Sequence, residues 1–252
     1  MARDRAPVTE VADGVHRLAT HHVSCYLVVD GDEVTLVDAG LPATWKALPA
    51  ALASLGRRFQ DLRAVVLTHA HFDHIGIAER LRREKGVVVH LHPEDAWLAA
   101  HPYRYRHERA RPPYLVQHPR ALPGLTSMVA GGALRVPPLH HTRPIADREV
   151  LEVPGRPVVH HTPGHTDGHC VLHLPERSVL LTGDALVTTD PYTARRGPQL
   201  VARAATASVS TARESLGRIR ALEADVLLPG HGDPFTGGTA RAVDEALAQP
   251  VQ

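Results

Sequence analysis

Residues 68–74 read Thr-His-Ala-His-Phe-Asp-His, which puts three imidazoles (His69, His71, His74) and one carboxylate (Asp73) within six positions. Imidazole nitrogen is a borderline ligand suited to zinc and iron, and carboxylate oxygen suits harder ions. A loop at the end of a strand can turn such closely spaced groups toward one point, and the apolar stretch Ala64–Leu67 immediately precedes them. The bland alternative is a polar loop in a chain that has 19 histidines. Three later segments weigh against it. Pro163-Gly164-His165 follows Val158–His161, Thr182-Gly183-Asp184 follows Val179–Leu181, and Pro229-Gly230-His231-Gly232 follows Val226–Leu228. Each time a short apolar run ends in a glycine-bearing turn that presents one His or Asp. Glycine permits the sharp turn and the close approach, and strand ends hold ligands on the rigid part of a fold.

The elements that would position these groups can be read from pattern. Val15–Leu18, Val23–Val29 and Val34–Val37 read as strands, with a hairpin turn at Asp30-Gly31 and a stop at Asp38-Ala39-Gly40. Trp45–Leu55 has helical spacing closed by Gly56, and Ile77–Lys85 has it closed by Gly86. Val87–Leu91 reads as a strand, and Ala64–Leu67 as one buried on both faces. The C-terminal half repeats this grammar, with strands at Val150–Val153, Val158–His161, Cys170–Leu174, Val179–Leu181 and Val226–Leu228 and helices at Thr206–Leu222 and Thr239–Ala248. Strands and helices in both halves point to an α/β fold, an αββα sandwich of two facing mixed sheets with helices outside. The whole of 1–252 is expected to be one domain. Residues 101–144 stand apart: they are rich in Pro, Arg, His and Tyr, their periodicity is weak, and only Leu122–Val129 suggests a helix. A stretch of this kind inside a domain reads as a lid or substrate-facing insert.

Bulk properties exclude more than they suggest. Lys and Arg number 28 against 27 Asp and Glu, so no overall field favours nucleic acid or an anionic membrane, although basic residues bunch between Arg104 and Arg120. No apolar run is long enough to span a bilayer. The start Met1–Arg5 has no apolar stretch behind it, so no secretory leader is expected, and the two cysteines, Cys25 and Cys170, read as buried free thiols. Together these lead to an expected cytoplasmic location, with a homodimer among the open oligomeric states.

His69-Ala70-His71-Phe72-Asp73-His74, followed by His165, Asp184 and His231, resembles the ordered signature of the metallo-β-lactamase superfamily, and Asp38 matches that family's early aspartate. The resemblance runs from about residue 15 to residue 240. It implies a dinuclear site at one sheet edge: His69, His71 and His165 on one metal, Asp73, His74 and His231 on the other, Asp184 between them. Asp38 would orient ligands through hydrogen bonds. Two divalent ions are implied, zinc foremost, with iron or manganese as alternatives. A hydroxide held between them would be the nucleophile of a hydrolase, with Asp73 steering the water and shuttling its proton. Of the remaining histidines, His169 or His161 is the better candidate to support a ligand.

Departures narrow the family. Asp184 stands where well-known zinc β-lactamases carry a cysteine or lack the bridging carboxylate, and His71 stands where flavodiiron-type oxidases carry Glu. What remains resembles the glyoxalase, lactonase and thioesterase group, acting on small esters, lactones or thioesters. Tyr192 and Arg195, in the segment after Asp184, are candidates to face substrate, tyrosine toward a developing oxyanion and arginine toward a carboxylate or phosphate. The tyrosine of signal-lactone hydrolases and the basic pattern of hydroxyacylglutathione hydrolases are not matched position for position. Three alternatives stay open: a mononuclear iron persulfide dioxygenase using His69, His165 and Asp184, a phosphodiesterase or nuclease member, and a non-catalytic binding platform.

Overall fold

The computed structural model describes residues 8–252; the Met1–Arg5 start lies outside them. In chain order the elements are β1 (Val8–Ala12), β2 (Val15–Thr20), β3 (Val23–Asp30), β4 (Glu33–Val37), α1 (Thr44–Ser54), β5 (Leu62–Val66), α2 (Ala78–Lys85), β6 (Val88–Leu91), α3 (Ala96–Ala100), α4 (Pro112–Gln117), α5 (Leu122–Ala130) and β7 (Arg143–Pro144). The second half continues with β8 (Val158–His161), β9 (Cys170–Leu174), β10 (Val179–Gly183), β11 (Val187–Thr189), β12 (Arg196–Gln199), α6 (Val209–Arg220), β13 (Val226–Pro229) and α7 (Thr239–Ala248).

One sheet runs β1-β2-β3-β4-β5-β6-β7 and the other β13-β10-β9-β8. Both are mixed: β1 to β4 pair antiparallel and β4 to β7 parallel, while β10 pairs parallel with β13 and antiparallel with β9. Side-chain alternation sorts the core into layers. Val66 on β5 and Leu181 on β10 share one cluster between the sheets with Tyr26, Val37 and Leu172. Their neighbours point the other way: Val65 packs with Leu48, Leu52 and Leu81 of α1 and α2, and Leu180 packs with Leu216, Ile219 and Val243 of α6 and α7. Period-2 strands that are apolar on both faces can only be buried between two partners, and the αββα sandwich expected from pattern is what results.

Local signals explain most boundaries. Gly86, at φ 69°, closes α2 in the left-handed conformation. The Ser208 hydroxyl accepts from the Thr211 amide and starts α6, so that helix begins three residues later than the expected Thr206, whose own hydroxyl donates to the Val201 carbonyl. One expectation needs correction. Val150–Val153 is not a strand: Val150 makes one bridge to Val158, and the chain then turns at Pro154-Gly155. In the segment after Asp184, β11 and β12 pair into a two-stranded ribbon. Residues 101–144 contain α4 and α5, and no helix among the described residues is long and apolar enough to cross a membrane.

Candidate metal centre

Strand ends of both sheets converge on one buried cluster. His69, His71, Asp73, His74, His165, Asp184 and His231 are each at most 6% exposed. Potential ligand atoms fall into three overlapping sets: His69, His71 and His165; Asp73, His74 and His231; and Asp184 with His69 and His74. Asp184 lies between the first two, with Oδ2 at 3.4 Å from both His165 Nε2 and His231 Nε2, and Oδ1 at 3.5 Å from His74 Nε2.

The proton inventory shows which ring atoms face inward. Thr68 donates its hydroxyl proton to Asp38, so its oxygen can only accept from His69 Nδ1 at 3.0 Å. His74 Nδ1 donates to Asp38 Oδ2 at 2.9 Å, and His231 Nδ1 donates to the His22 carbonyl at 2.9 Å. Each of these rings therefore turns an unprotonated or displaceable Nε2 toward the cluster. His69 Nε2, His71 Nε2, His74 Nε2, both ring nitrogens of His165 and Asp184 Oδ1 are buried without any hydrogen-bond partner. Buried polar atoms are seldom left unpaired, and a group of them aimed at one point fits cations. The cluster is a metal-binding site for divalent ions in its donor chemistry.

The two triads differ electrostatically. Burial, reinforced by neighbouring rings, holds His69 and His165 well below the usual histidine range, and burial lowers His71 to about 4. Burial also opposes charge on His74, but Asp184 and Asp38 outweigh it and raise the ring to about 9. His231 rises well above its ordinary value for the same reason, with Asp184 and Asp73 overcoming burial. Asp73 and Asp184 are held low despite burial, the first chiefly by its hydrogen bond to His231, the second by the charges of His231 and His74.

Each ligand loop is pinned from outside the cluster. The Asp38 carboxylate accepts from the Thr68 amide at 2.8 Å and from His74 Nδ1 at 2.9 Å. His169 Nε2 accepts from the amides of Asp184 and Ala185, each at 3.1 Å, and its Nδ1 donates to Thr162. His161 instead donates to the Asp167 carbonyl, away from any ligand. His21 and His22 both take the left-handed backbone, φ 50° and 66°, to turn β2 into β3 and aim the His22 carbonyl at His231. Gly230 is required by proximity: a Cβ there would overlap Asp184 Oδ1 and lie 2.6 Å from His74 Cε1.

Asp95 escaped sequence reasoning. Fully buried, it accepts from the Ala70 amide (2.9 Å), the Thr166 hydroxyl (2.8 Å) and the Gly168 amide (2.7 Å), tying the His69–His74 loop to the His165 loop. Burial raises its carboxyl to about 6. The available signal was an acid four positions after the strand-like Val87–Leu91, the same strand-end pattern as the ligands.

Tyr192 lines the crevice at the cluster together with Tyr105 from the 101–144 segment, and their hydroxyls are 3.2 Å apart. Burial raises both phenols above their ordinary value. Arg195 does not join them: its guanidinium donates to the Pro250 carbonyl at 3.1 Å, on the far side of the ribbon. Arg111, stacked 4.0 Å over the Tyr105 ring, is the cation that approaches. His92, Glu94 and His161 form a further group, but their two rings lie parallel within 11°. Imidazole lone pairs lie in the ring plane, so two stacked rings cannot both point at one ion.

The space at the cluster is small, about 30 Å³, and is bounded by His71, Asp73, His165, Asp184 and His231 with the two tyrosines. A groove of about 70 Å³ beside Trp97 and Arg104 shares His71, Tyr105 and His165 with it, and a cavity of about 390 Å³ shares Met128, Pro191 and His231. Two larger surface depressions, about 510 and 660 Å³, lie near Arg57 and near His140 and contain none of these groups.

Comparison with known proteins places this geometry in context. Residues 19–231 match the family model described as the metallo-beta-lactamase superfamily. The chain is 30% identical over 251 residues to the probable metallo-hydrolase YflN of Bacillus subtilis, covering 92% of this chain and 89% of that one. Among solved structures it resembles the metallo-beta-lactamase family protein TTHA1429 from Thermus thermophilus, with a TM-score of 0.69, 30% identity, and coverage of 94% of this chain and 79% of the other. It also resembles TTHA1623, solved in a di-iron-bound form, with a TM-score of 0.61, 28% identity, and coverage of 87% and 92%.

Proposed function

The chain belongs to the metallo-β-lactamase superfamily, and from that premise we propose that this metallo-hydrolase uses two metal ions to cleave a small ester, thioester or lactone. The observation that carries the reading is Asp184, whose two carboxylate oxygens reach ligands of both triads within 3.5 Å. His69, His71 and His165 would hold one ion, and Asp73, His74 and His231 the other. A complete second triad favours this over a mononuclear iron dioxygenase, for which those three groups would have no use. Zinc is the first candidate; the di-iron form of TTHA1623 keeps iron in view.

When bound, two divalent ions supply Lewis acidity and lower the pKa of an attacking water. The chain's own groups do the rest. Asp73 orients the attacking water and passes its proton toward the departing atom. Tyr105 and Tyr192 stay protonated at neutral pH, and the hydrogen bond between them consumes only one of their two hydroxyl protons. The second proton is free to donate to the oxygen on which charge develops. Asp38, Asp95 and His169 hold the ligand loops so that little reorganisation is needed.

The test is metal analysis of purified protein by plasma mass spectrometry. Chelation and reloading with zinc, iron or manganese would follow, with assays on ester, thioester, lactone and phosphodiester substrates. Two ions per chain and metal-dependent ester or thioester turnover are expected. One iron per chain, with oxygen uptake on a persulfide, would replace the hydrolase with a dioxygenase. Turnover of phosphodiesters alone would move the chain to the phosphodiesterase branch.

A further inference from the structure

The cluster itself has room for the reacting atoms only, since about 30 Å³ is one or two waters' worth of space. The body of any substrate must lie outside it. The flank beside His71 and His165 offers about 70 Å³, whereas the cavity beside His231 offers about 390 Å³, within the range of small-ligand pockets. The crevice and this cavity share Met128, Pro191 and His231, so a molecule can extend from one into the other.

Charge accounting in the larger cavity is uneven. Its lining includes Arg17, Arg120, Arg196, Asp190 and Asp233. Arg17 is engaged: it pairs with Asp233 and donates to the Gly232 carbonyl and the Ser24 hydroxyl, which steadies the His231 loop. Asp190 is buried and accepts from the Tyr192 amide at 2.8 Å. Arg120, between α4 and α5, and Arg196, at the start of β12, have no hydrogen-bond or ion-pair partner for their side chains among the described residues. Of the residues the cavity shares with the crevice, Met128 and Pro191 are apolar. Three guanidinium groups thus line the cavity against two carboxylates, and the two arginines without a partner, Arg120 and Arg196, are exposed.

We propose that this cavity is a subsite for the anionic arm of the substrate, a carboxylate or phosphate on a short carbon chain, held by Arg120 and Arg196. The assignment rests on the hydrolase reading and deepens it: the substrate is an ester or thioester with a negatively charged tail. Guanidinium groups suit both head groups through paired hydrogen bonds.

Two independent readouts test it on the metal-loaded protein. In the first, kcat/KM is compared between mono-p-nitrophenyl glutarate and the neutral p-nitrophenyl butyrate. The wild-type chain prefers the anionic ester, and Arg120→Gln and Arg196→Gln each lower the anionic-to-neutral ratio by about tenfold, the worth of one charged hydrogen bond. Arg195→Gln, whose side chain faces Pro250, leaves the ratio within about twofold, as expected of a surface change. In the second, glutarate and propylphosphonate binding is measured by calorimetry, with no turnover required. Binding that weakens in both arginine variants supports the subsite, and the tighter of the two anions identifies the head group. Equal binding by wild-type and variant proteins would overturn it, because the anions would then be held by the metals alone. An ester ratio unchanged in both variants would overturn it as well. If neither ester turns over but anion binding still depends on the arginines, the subsite stands and the hydrolase reading fails.

Discussion

The loop from His69 to His74 and the segment 101–144 face the same crevice but are held very differently. The loop leaves β5 with Asp38 and Asp95 clamped to its backbone, and its ligands are at most 6% exposed. The segment reaches the crevice through Tyr105, Leu125 and Met128, and it is tied to the rest of the chain by the Glu108–Arg203 pair, by backbone bonds such as Ala43 to Gly131, and by the buried side chains of Tyr105, Val136 and Leu139. It leaves Val116 83% and Leu134 71% exposed. Backbone and carboxylates thus over-determine the position of the His69–His74 loop, whereas parts of the 101–144 segment face solvent.

The comparison can be broken most severely at the cage. Asp184→Ala should keep a folded chain, lose one of two metals and reduce turnover to near background; plasma mass spectrometry and circular dichroism read both. Retention of both ions with full turnover would remove Asp184 from its place between the triads. Next, Asp95→Ala should weaken metal affinity by about 10–100-fold, the usual effect of losing a group that supports ligands. Competition with a chelator measures this, and unchanged affinity alongside a lowered Tm would make Asp95 merely structural.

A pH series sharpens the contrast between the two triads. The ring raised to about 9, His74, carries a proton in the metal-free chain at neutral pH, whereas His71, lowered to about 4, does not. A metal on the second triad must displace protons, so its affinity should rise as pH increases from 6 toward 9, by about tenfold per unit for each proton released. The first triad should show little dependence over that window. Titration calorimetry in buffers of different ionisation enthalpy would count the protons, and equal release at both sites would contradict the asymmetry. On the crevice wall, Tyr192→Phe should lower kcat by about three- to tenfold, the worth of one hydrogen bond, with a smaller change in KM. Smallest of all, Leu134→Ser on the exposed segment should change stability by less than about 0.5 kcal/mol, measured by denaturant unfolding.

The clustered His and Asp donors were legible because their signal is local. Three histidines and an aspartate lie within six positions, and His165, Asp184 and His231 each follow a short apolar run through a glycine turn. Strands buried between sheet and helix were legible as continuous apolar runs. The strands that sequence reasoning missed, β1, β7, β11 and β12, are short and lack that run; Arg196–Gln199 contains Gly197 and Pro198 and is a strand only because β11 pairs with it. The expected strand at Val150–Val153 failed for the complementary reason: the residues are suitable, but only Val150 finds a partner.

What the sequence by itself determined is therefore the inventory of donors, their order and the sandwich that presents them, since these follow from neighbours along the chain and from period-2 burial. Tertiary structure alone decided which groups serve that inventory. Asp95 acts on residues 25, 71 and 73 positions away, Tyr105 meets Tyr192 across 87 positions, and Arg195 turns outward to Pro250 although its sequence neighbours line the site. Such contacts leave no periodic trace in the chain, because they depend on where loops from separate strands come to rest once the two sheets have closed on their shared core.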